Sequence, residues 1–126
     1  MGNNFDAARE ELKRKVEANS GDALSLSVLG LIDAALGQNQ LAIHEAKRAV
    51  EMMPACQDAV EGPLLVINMA SVYALSNEPD LAFQELAISA KTPRGITYGE
   101  LKLDPRWDVI RKDRRFAKLL ASLAPR

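Results

Sequence analysis

The stretch 23-ALSLSVLGLIDAALGQNQLAIHEAKRAVEMMP-54 decides the fold. In its first half Leu26, Leu29, Gly30 and Asp33 recur at helical spacing, and in its second half Ala42, Ala46 and Ala49 do the same. Residues three and four apart share one face of a helix, so the stretch is two helices joined near Gly37. Gly30 and Ala42 carry so little side chain that two antiparallel helices can approach closely there. Ala49 offers the same close contact to a following helix. Asp22 and Asn39 are placed to cap the two helix N-termini. Pro54 lacks an amide hydrogen and stops the second helix after Met53.

These spacings resemble the tetratricopeptide repeat (TPR), a helix-turn-helix unit of 34 residues marked by a large residue, Leu-Gly, an aromatic, then Ala, a large residue and a closing Pro. Leu29, Gly30, Ala42 and Pro54 match that pattern, and Gly37 and Ala49 suit it. Asp33 and Ala46 depart from it, because both positions usually hold a larger aromatic or apolar side chain. A second copy follows forty residues later: Val66, Met69, Ala70 and Tyr73 align with Leu26, Leu29, Gly30 and Asp33, while Ala82 and Leu86 align with Ala42 and Ala46. Tyr73 restores the aromatic, Pro79 suits the first turn of a helix, and the closing proline is displaced by one, to Pro93. The extra residues of the longer spacing fall around 54–63, as a longer helix end or an ordered loop. One repeat length before Ala42 lies Ala8, so residues 4–20 read as the second helix of a partial repeat with the stripe Phe5, Ala8, Leu12 and Val16. A repeat that starts halfway points to a piece of a longer protein.

The C-terminal part opens with a loop over 92–99, rich in Thr, Pro and Gly. Asp104-Pro105 then starts a helix, and Asp113 caps a last one with the stripe Phe116, Leu119, Leu120 and Leu123. Asp104, Pro105, Trp107, Asp108, Arg111, Asp113, Arg115 and Phe116 resemble the tail that closes TPR arrays in bacterial multidomain regulators, cyclases and kinases. That likeness implies a capping element over the last exposed face of a solenoid, with Trp107 as its packing anchor. The expected architecture is therefore all-α: a single domain, 1–126, in which antiparallel helical repeats at 23–54 and 63–93 stack as a short right-handed superhelix. The partial repeat at 4–20 precedes them and a cap at 97–124 follows.

Composition narrows the function. Sixteen basic against seventeen acidic residues leave a net charge of −1, which gives no global attraction to nucleic acid or to an anionic membrane. The longest strongly apolar stretch, Leu64 to Ala70, is far short of the ~20 residues that span a bilayer. The N-terminus lacks the basic and apolar regions of a secretory signal. A single cysteine, Cys56, forbids an intrachain disulfide and suits a reducing, cytoplasmic setting. His44 is the lone histidine, too few ligands for zinc, and Cys56, a nucleophile only if a base lowers its thiol pKa, reads as a small buried hydrophobe. Arg111, Lys112, Arg114, Arg115 and Lys118 form a basic cluster, but Asp108 and Asp113 interrupt it, so it reads as a solvated face with salt links to the repeats. With no phosphate loop, nucleophile motif or paired-carboxylate acid in view, the chain is expected to be no enzyme and to need no cofactor or small-molecule substrate.

In a TPR stack the first helix of each repeat lines a concave face. The frame places Leu24, Ser27, Leu31, Ala34 and Ala35 there from the first repeat, and Leu64, Ile67, Asn68, Ser71, Ala74 and Leu75 from the second. Only Asn68 suits the clamp that grips acidic peptide C-termini in this family. The face is otherwise small and apolar, and such a surface is covered or used. Its expected role is to bind a protein or peptide segment or a second copy of the chain, as part of a larger bacterial regulatory protein. The competing reading is a structural cap or spacer that only ends a helical solenoid and holds a neighbouring domain; the groove itself can be covered by the C-terminal tail, by a second copy or by a partner's apolar segment.

Overall fold

In the computed structural model residues 2–18, 22–52 and 61–124 are described. They form seven α-helices and one 3-10 helix: α1 (Gly2–Ala18), α2 (Ala23–Ala35), α3 (Asn39–Met52), α4 (Glu61–Leu75), α5 (Pro79–Ala90), α6 (Tyr98–Leu103), the 3-10 helix Pro105–Ile110, and α7 (Arg114–Leu123). No strand occurs among the described residues, and the protein is all-α. Met53, Pro54 and Cys56 lie outside the described residues, and so do the proposed helix stop at Pro54 and most of the longer spacer. No helix among the described residues is long and apolar enough to cross a membrane.

The duplication is visible bond by bond. At the end of α2 the amides of Leu36, Gly37 and Gln38 donate to the carbonyls of Ile32, Ala34 and Asp33 at 3.0, 3.1 and 2.8 Å. At the end of α4 the amides of Ser76, Asn77 and Glu78 donate to the matching carbonyls of Val72, Ala74 and Tyr73 at 2.9, 3.3 and 2.8 Å. Each turn is closed by one residue in the left-handed region, Gly37 at φ 86° and Asn77 at φ 61°. That geometry satisfies carbonyls a helix end would leave unpaired. Glycine adopts it freely and asparagine tolerates it. Gly37→Ala is therefore expected to cost about 1 kcal/mol, read as a lowered urea midpoint at unchanged slope, whereas Asn77→Gly should leave the midpoint equal or raised.

The caps agree with the sequence except at one place. Asp22 accepts the Ser25 amide at 3.0 Å, and Pro79 stands in the first turn of α5. Asn39 is not a cap: it is already the first residue of α3, and the carbonyl of Gln38 accepts the first helical bond from Ala42. The C-terminal loop is also shorter than the composition suggested. Thr97 accepts the Glu100 amide while Glu100 reaches back to the Thr97 amide, and this reciprocal cap starts α6 at Tyr98. Asp104-Pro105 begins the 3-10 helix, and Asp113 caps α7 through the Arg115 amide at 2.9 Å.

Packing follows the hairpins. α2 pairs with α3, α4 pairs with α5, and α4 also lies against both α2 and α3, so each first helix neighbours the next. Small residues set these distances: Ala42, Ala46, Ala49, Ala70 and Ala82 are buried, and a Cβ on Gly30 would stand 3.2 Å from the Ala42 carbonyl oxygen. The larger core runs from Ala34 and Ala42 through α4 and α5 to Trp107 and Phe116. A smaller one gathers Ala23, Leu26, Leu29, Ala49 and Leu65, with Leu12 and Val16 of α1 partly buried against it. The outward residues Glu10, Glu11, Arg14, Lys15 and Glu17 give α1 a polar outer face.

Candidate interaction surface

The concave positions read from the sequence divide into two groups. Ser27, Ala34, Ile67, Asn68 and Ser71 are buried inside the fold, as is Ala74. Leu24 and Leu31 are half-buried, Ala35 is exposed, and Leu64 and Leu75 retain 40% and 36% exposure. The buried group is closed from two sides. Between the first helices, Asn68 Nδ2 donates to Ser27 Oγ at 3.0 Å, a buried bond that ties α4 to α2. From the C-terminal side the 3-10 helix lies against α4, and Arg106 donates to Asn68 Oδ1 at 3.4 Å. Trp107, 1% exposed, joins the same cluster as Ile67 and Ala74. The C-terminal segment thus covers the middle of the second repeat's first helix, and solvent access on the first-helix side is left to Leu24, Leu31, Ala35, Leu64 and Leu75.

Two members of the basic cluster, Arg111 and Arg115, are spent on the fold, while Lys112, Arg114 and Lys118 are exposed. Arg111 donates to the carbonyls of Lys102 and Asp104 at 2.7 Å each and pairs with Asp108. It thereby holds the end of α6 to the 3-10 helix. Arg115 pairs with Asp113 and, across to α5, with Asp80 at 2.6 Å, while its guanidinium sits 4.7 Å from the Phe83 ring centre. These bonds hold the Asp113 carboxyl at about 2, chiefly through the Arg115 side chain and amide. Its ionised form therefore favours the folded state above the ordinary carboxyl range, and that contribution is lost as pH falls toward 2.

One group escaped the sequence reading. Asp33, the departure from the repeat pattern, is fully buried at the site where the second copy places Tyr73. Arg9 of α1 donates to its Oδ1 at 2.5 Å, and Glu45 of α3, 8% exposed, lies within hydrogen-bonding reach of it. Among the described residues neither Asp33 Oδ2 nor Glu45 Oε1 has another partner. Burial, then the contact with Asp33 and its charge, push the Glu45 carboxyl up to about 8, with Arg9 and Lys13 opposing. The legible signal was an aspartate where the other copy has an aromatic. Nothing local pointed to its partners, 24 residues before it and on the following helix. Beside Arg9 a surface hollow of about 420 Å³ is lined by Asp6, Arg9, Leu36, Gln38 and Leu41.

His44 is exposed on α3. No group of three or more His, Cys, Asp or Glu among the described residues is arranged to hold a metal ion. No family of known proteins, characterised protein or solved structure matches the chain.

Proposed function

We propose that this chain is a TPR-type protein-binding or self-associating module, a cytoplasmic piece of a larger bacterial regulatory protein, and that it carries no catalysis. The observation that supports this most is the duplicated hairpin, with matching turn bonds after α2 and α4 and with the first helices side by side. Such stacking presents first-helix side chains on a common face, a geometry suited to receiving another chain. Leu24, Leu31, Ala35, Leu64 and Leu75 are the apolar positions of that face with solvent access, and they would be the contact points. The likeness of the C-terminal segment to tails of bacterial multidomain proteins supports the parent protein, and the single Cys56 suits the reducing compartment.

Light scattering over a concentration series tests the self-associating form. The expected result is a mass that rises above 13.8 kDa with concentration and returns to it in Leu24→Asp and Leu64→Asp. The burial of Ser27, Ile67, Asn68 and Ser71 favours a second reading, a spacer whose groove is already filled from within. A strict monomer whose parent protein keeps its activity and its partners when Leu24 and Leu64 are both made Asp would replace the first reading with the second.

A further inference from the structure

We propose that α1 is a latch whose docking takes up a proton: Asp33 and Glu45 share one proton beneath Arg9, and lifting α1 away lets water in and releases it. Two buried carboxyls face one guanidinium. Arg9 satisfies Asp33 Oδ1, while Asp33 Oδ2 and Glu45 Oε1 are left facing the interior without another partner. A protonated Glu45 donating to ionised Asp33 gives the carboxyl pair its missing bond and leaves a single negative charge opposite Arg9. With both ionised, two buried negative charges would lie against a single guanidinium, an arrangement proteins avoid. The other charges on the cluster come from α1 as well: Lys13 acts on Glu45, and Glu10 pairs with Arg9. α2 contributes Asp33 and α3 contributes Glu45.

Among the described side chains of α1, residues 6–18, none is fully buried, and Leu12 and Val16 pack half-buried against the smaller core. An isolated helix of this length is marginal in water, so α1 depends on its docking contacts to stay in place. The direction follows from burial. Docked, Glu45 holds its proton up to about pH 8; undocked and solvated, it gives the proton up in the ordinary carboxyl range. Docking is therefore strongest in acid and weakens as pH rises toward 8. It weakens by up to about tenfold per pH unit for one proton and then levels off.

Hydrogen-exchange protection factors of the α1 amides, corrected for intrinsic rates and measured on the full chain between pH 5 and 9, test this. In the unmodified protein they are expected to fall by up to about tenfold per unit as pH rises toward 8 and then to flatten. Glu45→Gln keeps a donor for Asp33 and loses the titration, so its α1 protection should be independent of pH. The proposal is overturned by an unchanging α1 protection in the unmodified protein, by an equal slope in Glu45→Gln, or by a slope in α2 and α3 that α1 does not share. Should Glu45→Gln fail to fold, the carboxyl carbon-13 shift of Glu45 in the unmodified protein decides. A midpoint above 7 supports the shared proton, and one below 5 refutes it.

Discussion

Trp107→Ala is expected to lower the unfolding free energy by about 3–5 kcal/mol, the range for removing a fully buried aromatic whose site cannot collapse. The indole is 1% exposed and lies on a 3-10 helix that has few other ways to hold on. Ile110 is the second buried apolar side chain of that helix, while Val109 is 60% exposed. Arg106, at 5.9 Å from the indole centre, covers one side of the ring and bonds Asn68. Losing the indole therefore also loosens the bond that closes the first-helix face of α4. Chemical denaturation gives the energy, and the slope gives the mechanism. A reduced midpoint with an unchanged slope would mean a cavity in an intact fold. Early release of the 3-10 helix and α7 would instead appear as a separate transition, and binding of an apolar dye to the uncovered face of α4 should accompany it.

Gly95→Ala should be nearly as damaging, by about 3 kcal/mol or more, for a steric reason. A Cβ on Gly95 would stand 1.8 Å from the Ser89 carbonyl oxygen and 2.9 Å from that of Thr92, both backbone atoms with nowhere to retreat. This corner turns the chain from α5 toward α6. Its amide donates to Thr92 at 2.9 Å, the next amide donates to buried Ser89 Oγ at 2.8 Å, and Ile96 is driven into the core. Arg94 already sits in the left-handed region at φ 63°, so little slack remains next to it. A melting temperature lowered by about 10 °C is the expected reading. Gly99→Ala is the matched control: the position lies within α6 and a Cβ there meets no atom. Exchange of glycine for alanine in a helix should raise stability by up to about 1 kcal/mol. Equal effects at the two glycines would show that the corner is not built as described.

Much of the local architecture was legible in the sequence because it is made by neighbours in the chain. The hairpin of α2 and α3 follows from the spacing of Leu26, Leu29 and Gly30 against Ala42, Ala46 and Ala49, and these residues are buried where the pattern put them. Asp22, Asp104 and Asp113 cap as expected because a side chain two or three residues from the amide it serves needs no tertiary contact. Trp107 was readable as an anchor from its size alone. The capping pair Thr97 and Glu100 was equally local, yet the Pro and Gly around it outweighed it, and the loop expected over 92–99 runs into the first turn of α6.

What only the tertiary structure decided is where polar groups go once the helices pack. Asp33 stands in a helical stripe that would leave it merely anomalous. It is tolerated because Arg9 from α1 and Glu45 from α3 reach the same buried point, and no spacing along the chain encodes that meeting. The concave face behaves the same way. Periodicity marks Ser27, Ile67, Asn68 and Ser71 as one side of two helices, but the packing of α4 on α2 and of the 3-10 helix on α4 turns that side into interior and leaves Leu24, Leu31, Ala35, Leu64 and Leu75 with water. Hydrogen bonds within a helix turn are fixed by adjacent residues, whereas burial depends on every segment that arrives later, and the sequence by itself carries the first far more openly than the second.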